Sequence, residues 1–377
     1  GALSTGQMLL LCTLYPQAVA DQALHIPESG NGISDLLDEL KYELDWLLTM
    51  QDEDGGIFHK LTAKNFSGFV SPEAYDLDRY VIGKGTAASL DFAAVLAQAA
   101  RLLAPTHELW SQKALEAAEK AWKWAQFNPQ VAFSNPDDVK TGEYGDAQFA
   151  DDFYWAAAEL YLATQEAMYL NYLQSNKETY QHQLTNSWKF FTRNVGFASL
   201  LIHQELIDPK LYKTLKNEHL LLSDSLLEAI NHHPYRIALN TFEWGSNSDV
   251  LNQALLLCLA HQLTADEKYL MGAEQITDYI FGKNAMGYSF LTGFGSKKVR
   301  FPHHRPSGAD QILMPIPGFI VGGPNGDRQD HHEVAYTSIF PAKAYQDVQL
   351  SYASNEVCLN WNAPAVFVLG YIHQVRN

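Results

Sequence analysis

The sequence predicts an all-α protein, and three observations carry that expectation. Leucine and alanine recur at helical spacing over long stretches from one end of the chain to the other. Runs with the strict apolar–polar alternation of half-buried strands are scarce. Short and long connections alternate, and the long ones carry the unusual residues. With 377 residues, 47% of them hydrophobic, there is ample material for a substantial core. No linker of biased composition and no second domain is visible, so residues 1–377 read as one domain.

The elements follow in order. Met8 to Tyr15 is an apolar, helix-like run that stops near Pro16. The Pro and Gly of Ile26–Gly32 then break regular structure. Ser34 is placed to cap a helix with Asp35 and Asp38 in its first turn, and Leu36, Leu37, Leu40, Leu44, Leu47 and Leu48 give that helix its apolar face. Gln51–Gly56 ends it, and a long loop is expected to about Ile82. Gly85–Leu103 and Trp110–Phe127 read as Ala-rich helices, with loop from Asn128 to Gly145. Asp151–Thr164 opens with two acids at a helix N-terminus. Further helices are expected over Tyr180–Thr192, Pro209–Asn231, Ser248–Leu263 and Asp266–Phe281. Gly282 to about Pro341 is Gly-, Pro- and His-rich loop, and a last helix covers Ala363–His373. In a ring of helical hairpins such long loops gather on one face and form a cleft.

Composition excludes some partners. A net charge of -17 disfavours nucleic acid and anionic membrane. No apolar stretch is expected to span a bilayer, and Gly1-Ala2-Leu3-Ser4 opens the chain without the basic residues of a secretion signal. Cys12, Cys258 and Cys358 lie in apolar surroundings and are odd in number, which suits buried thiols better than disulfides. Aromatics at 12% exceed what a plain helical core needs, and carbohydrate sites use aromatic faces.

Several constellations can carry chemistry. Glu356 sits among the amides Asn355, Asn360 and Asn362 and the aromatics Tyr352 and Trp361, with no basic residue nearby in sequence. Such surroundings desolvate a carboxyl group and raise its pKa, as a general acid near neutrality requires; the plainer alternative is a residue at the edge of the last helix. Phe301–Pro306 sets His303, His304 and Arg305 in a Pro-bounded loop, several donors suited to sugar hydroxyls or a carboxylate. A surface turn or a zinc site are the alternatives, and adjacent histidines rarely face one ion. Trp244–Asp249 feeds a helix N-terminus and offers either a stacking platform or a buried Trp with its cap. Thr141–Asp146, leading to Asp151 and Asp152, suits the oxygen preference of Ca²⁺, with helix-dipole acids as the competing explanation.

Taken in order, the stretches Pro27–Glu39, Trp244–Ser248, Gly282-Lys283-Asn284, Pro302–Arg305, Pro317–Asn325 and Ser354-Asn355-Glu356 resemble the catalytic domain of glycoside hydrolase family 9 across essentially the whole chain. The resemblance is to the branch with an immunoglobulin-like domain before the barrel. It implies an (α/α)6 barrel that hydrolyses β-1,4-glucosidic bonds in cellulose or cello-oligosaccharides with inversion, in a secreted or periplasmic setting. It makes Glu356 the general acid, with Asp347 an acid close to it. It sets His303 and Arg305 against the sugars beside the scissile bond, and Trp244, Trp361 and Tyr345 among the substrate-binding aromatics. Asp151 and Asp152 match acids of a structural calcium site, and no cofactor is expected for the chemistry.

One departure bears on mechanism. The family's water-activating base lies in an Asp-Ala-Gly-Asp motif ahead of a stretch like Gly1–Leu9, and these residues contain no such motif. The expectation is an N-terminally incomplete barrel whose base lies upstream. Two alternatives stay open. The acids of Glu143–Asp146 would suit a shortened cleft or a cationic sugar, as in an exo-acting cellobiase or glucosaminidase. A toroid without a base would bind oligosaccharide and not cleave it.

Overall fold

The computed structural model describes residues 1–175 and 191–377. Within them the chain forms two compact units, one holding residues 1–66, 77–175 and 191–218, the other Ser67–Asp76 and His219–Asn377. Helices dominate both, as the leucine and alanine spacing predicts.

The first unit contains α1 (Ala2–Leu14), α2 (Asp35–Leu48), strands β1 (Phe58–Thr62) and β2 (Tyr80–Lys84), α3 (Thr86–Leu103), α4 (Glu108–Phe127), α5 (Ala150–Thr164), α6 (Ala167–Ser175) and α7 (Thr192–Ile202). Its centre is α3, packed between α4 and α5. The small faces of Ala93, Ala94 and Ala97 allow that approach, and all three are fully buried. By length and composition α3 could cross a membrane, which corrects the expectation that no stretch approaches one; 72% of it is buried inside the fold, as a core helix requires. Gly6 lets α1 meet the ring of Trp155, where an added Cβ would fall 2.5 Å from Cζ2.

Three local expectations change. Ser34 does not cap α2: its hydroxyl donates to the Val19 carbonyl at 2.5 Å. The work at that end is done by Asp35, whose carboxylate accepts from Gln22 N, Leu24 N and Ser29 Oγ at 3.0, 2.6 and 3.0 Å. The long loop before Ile82 contains an antiparallel hairpin, with Phe58 opposite Lys84 and Thr62 opposite Tyr80. Helix α6 was not anticipated, and the helix expected over Tyr180–Thr192 lies outside the described residues except for Thr192, which opens α7.

After α8 (Pro209–His232), the second unit is layered around α9 (Ser246–Thr264), which packs against α10 (Glu267–Ile280) and α13 (Leu359–Arg376). Every residue of α9 from Ser246 to Ala260 is buried: from Ala254 to Ala260 the helix is apolar on all sides, and at its polar start Ser246 Oγ and Asn247 Nδ2 donate to the Pro324 and Val321 carbonyls. Two very short helices, α11 (Arg305–Ala309) and α12 (Tyr352–Asn355), interrupt the loops. Helix α13 starts four residues earlier than the sequence predicts because Pro364 is tolerated inside it. Proline leaves the carbonyl four residues back without its usual donor. Here that carbonyl, Asn360, receives the Ser248 hydroxyl at 3.3 Å.

Candidate active site

Glu356 follows α12 in extended backbone, φ -70 and ψ 152. Its main chain is clamped from two sides. The His303 amide donates to the Asn355 carbonyl at 2.8 Å, and the Gly322 amide to the Glu356 carbonyl at 3.0 Å. Isolated bridges pair His303 with Glu356 and Val321 with Val357. Two loops that are far apart in sequence are thereby brought against the acid by backbone hydrogen bonds.

The Glu356 carboxyl is largely buried, and burial pushes its pKa up to about 7; the nearby Arg305 charge and a hydrogen bond from the Trp244 indole pull the other way. Desolvation wins because it penalises only the charged form. Trp244 is 39% exposed and lies 5.6 Å from the Tyr352 ring. Its loop turns sharply at Gly245, φ +87, where a Cβ would come within 2.7 Å of Trp361 Nε1.

His303 sits beside the acid, its ring edge-on to Phe69 and Tyr352 at 5.3 and 6.1 Å. Its Nδ1 is 2.7 Å from the Gln349 carbonyl. A carbonyl only accepts, so Nδ1 carries the hydrogen and Nε2 is the acceptor nitrogen of the neutral ring. Burial lowers its pKa and favours that neutral form. Arg305 donates through Nε to the Ser67 carbonyl at 3.1 Å. His304 turns away and caps α11, with Nδ1 2.9 Å from Ser307 Oγ.

Three expected site residues have different surroundings from those the sequence implies. Trp361 is 6% exposed and packed under Gly245 and Gly322, so its faces meet protein and not sugar. Tyr345 is 1% exposed, and its hydroxyl donates to Asn355 Oδ1 at 2.6 Å. It acts on the acid through that amide. Asp347 accepts from Arg300 N at 2.9 Å, Phe301 N at 2.9 Å, Asn355 Nδ2 at 3.3 Å and Tyr288 Oη at 3.3 Å. A carboxylate has about four lone-pair sites, so Asp347 is a hub that ties the His303 loop to the acid's helix and has no lone pair left for a reacting water.

Two further acids of this unit were not singled out by sequence. Asp330 is fully buried and takes three donors from around α12. Asp249, in the first turn of α9, is buried, which together with Glu243 pushes its carboxyl up to about 8. Nothing in the sequence marks Asp330, because its partners stand 6 to 23 residues away.

Asp151 and Asp152 lie in the other unit. The Thr192 hydroxyl is 3.0 Å from Asp151 Oδ2 and 3.3 Å from Asp152 Oδ1. Asp152 and its neighbour Asp91 are held above the usual carboxylate range by burial, as is Asp151. Asp91 and Asp152 share a side-chain hydrogen bond, which requires a proton on one of the pair. Glu143 is in this unit too, its Oε2 accepting from Asn135 N at 2.9 Å.

The profile of the family described as Glycosyl hydrolase family 9 matches residues 1–369. A xyloglucan-specific endo-β-1,4-glucanase of Bacteroides ovatus is 41% identical, the alignment covering 96% of this chain and 64% of the relative. Endoglucanase D of Acetivibrio thermocellus is 33% identical over 98% of this chain and 58% of its own. The chain thus spans less than two thirds of the length of these relatives. Among solved structures, a Bacteroides ovatus family 9 hydrolase superposes with a TM-score of 0.91 at 37% identity, over 100% of this chain and 70% of that one. AaCel9A in complex with cellobiose-like isofagomine gives 0.88 at 32% identity, over 100% and 72%. Their (α/α)6 barrel is the fold class of the helices described above. An acid raised to neutrality between a histidine loop and an arginine thus sits in a helical scaffold shared with these enzymes, and the chain belongs to glycosyl hydrolase family 9.

Proposed function

We propose that this chain carries the general acid of an enzyme that hydrolyses β-1,4-glucosidic bonds in glucan chains or cello-oligosaccharides with inversion, residues 1–377 being part of its catalytic domain. The observation that carries the reading is Glu356: a desolvated carboxyl near pKa 7, oriented by backbone on both sides, beside His303, Arg305 and Trp244. Glu356 protonates the leaving glycosidic oxygen. His303 Nε2 accepts from a sugar hydroxyl, Arg305 donates, and the exposed face of Trp244 stacks on a ring. The endoglucanase names of the relatives support the substrate class. A secreted or periplasmic setting is part of the same reading.

Inversion also needs a carboxylate about 6.5–9.5 Å from the acid to activate water. Asp330 and Asp347 are spent on structural donors, and Asp249 is mostly neutral at pH 7. The base is therefore none of these three.

The test is to follow cellotetraose hydrolysis by proton NMR. The α-anomer should appear first at the new reducing end. Initial release of the β-anomer would make the reaction retaining and overturn the mechanism. A branched glucan is the second reading, favoured by the xyloglucan-specific relative; faster release of reducing sugar from xyloglucan than from carboxymethylcellulose would select it.

We also propose structural calcium at Asp151 and Asp152. The donors are all oxygen, and the buried Asp91, Asp151 and Asp152 carboxyls repel one another, a repulsion that a divalent cation would relieve. Among the described residues no three His, Cys, Asp or Glu side chains converge on one point, so carbonyls or water would complete the shell. Chelation should lower Tm and millimolar calcium should restore it, the unfolding free energy regained being about 2.7 kcal/mol at a hundredfold excess over Kd. A melt unaffected by chelator and by added calcium would remove the site.

A further inference from the structure

Asp330 belongs to a loop whose next residues, His331, His332 and Glu333, are all exposed, yet its own side chain is 0% exposed. Burying a carboxylate is costly unless its oxygens are satisfied. Here they accept from Tyr336 Oη at 2.7 Å, Ser351 Oγ at 2.9 Å and the Ala353 amide at 3.0 Å. Two of these donors belong to the start of α12 and the residue before it. Ser351 Oγ also lies 2.8 Å from Ser354 Oγ, which extends the contact to the far end of the helix.

Helix α12 has four residues, too few to hold its own shape, because nucleating a turn fixes several dihedrals for one hydrogen bond. Its geometry has to be imposed from outside. At the Asn355 end this is done by Tyr345 Oη and by the Phe301 carbonyl, which accepts from Asn355 Nδ2 at 2.6 Å. At the Ser351 end the side chains that do it are Asp330, through the donors above, and the buried Asn325, whose Nδ2 donates to the Ala353 carbonyl at 2.8 Å. Glu356 is the next residue after this helix, so any rotation of α12 swings its carboxyl away from the glycosidic oxygen.

We propose that Asp330 is a positioning residue that sets the pose of the acid Glu356 by fixing the N-terminal end of α12. The inference rests on the reading of Glu356 as general acid. A loss of acid pose has a signature that general loosening lacks. A sugar leaving group needs its proton, whereas dinitrophenolate leaves without one. Ser351 Oγ and the Ala353 amide both donate to Oδ2, and only the Tyr336 hydroxyl meets Oδ1, so an asparagine could keep its oxygen toward α12 and turn its NH2 to the tyrosine; Asp330→Ala is the variant that removes the shared acceptor.

The experiment compares Asp330→Ala and Glu356→Gln in the protein as its gene encodes it, on cellotetraose and on dinitrophenyl β-cellobioside. For Asp330→Ala, kcat on cellotetraose should fall by about 100-fold, the scale of a 1 Å misplacement. KM should stay within about twofold, and the aryl substrate should lose less than about threefold, since no positioned acid is needed there. Equal losses on the two substrates, or none, would overturn the inference while Glu356→Gln still showed the selective loss. If Glu356→Gln itself lost nothing on cellotetraose, the acid assignment would fail first. Should Asp330→Ala not fold, Ser351→Ala removes one of the two α12-side donors and is judged by the same criterion: selective loss upholds the proposal, and uniform or no loss overturns it.

Discussion

Glu356→Gln should lower turnover of cellotetraose by at least about 10²-fold, and by up to about 10⁴-fold, with KM little changed. The amide keeps the shape of the side chain and its hydrogen bond from the Trp244 indole, and removes the proton that the leaving oxygen needs. Hydrolysis of dinitrophenyl β-cellobioside should fall far less. The pH profile gives an independent check. A group at about 7 is protonated below neutrality, so wild-type kcat/KM should decline as pH rises through about 7. In Glu356→Gln that limb should disappear. Full activity of the variant on cellotetraose, or an unchanged alkaline limb, would take Glu356 out of the role.

The helices were legible because their residues repeat, and the site was legible only where chemistry is local. Leu36 to Leu48 and the alanines of α3 announce buried faces through spacing alone. The hairpin of Phe58–Thr62 and Tyr80–Lys84 is not announced: each strand has five residues and neither contains a fully buried one, so there is no core-facing row to be seen. The early start of α13 depends on Ser248 reaching Asn360, more than a hundred residues away. The same limit applies at the site. Glu356, His303 and Arg305 stand in short polar motifs that mark themselves. Whether an aromatic neighbour lies over the sugar or under the backbone is decided by the fold. Trp361 and Tyr345 adjoin the acid in sequence as Trp244 does not, yet they are buried and Trp244 is the one left exposed. Asp330 and Asp347 are plain acids in loops until the structure shows how many amides and hydroxyls converge on them.

The second large effect is expected at Asp347. Asp347→Ala removes the acceptor shared by Arg300 N, Phe301 N, Asn355 Nδ2 and Tyr288 Oη. Arg300 and Phe301 are exposed, so water can replace part of what is lost, and the stability cost should stay near 1–3 kcal/mol, the scale for a stranded polar group. The catalytic cost should be larger. Phe301 leads directly into the His303 loop, and Asn355 precedes Glu356, so the acid and its neighbouring histidine lose their common anchor together. Misplacement of that kind costs on the order of 10²-fold in kcat. Asp347→Asn should be nearly as damaging, because its NH2 group would face main-chain donors. Azide or formate separates this role from proton abstraction by Asp347 itself. A small anion can stand in for a missing base in the cavity left by alanine, but it cannot rejoin two loops. Asp347→Ala should therefore remain unrescued while its melting temperature falls; restoration of activity by azide at unchanged stability would make Asp347 the group that activates water.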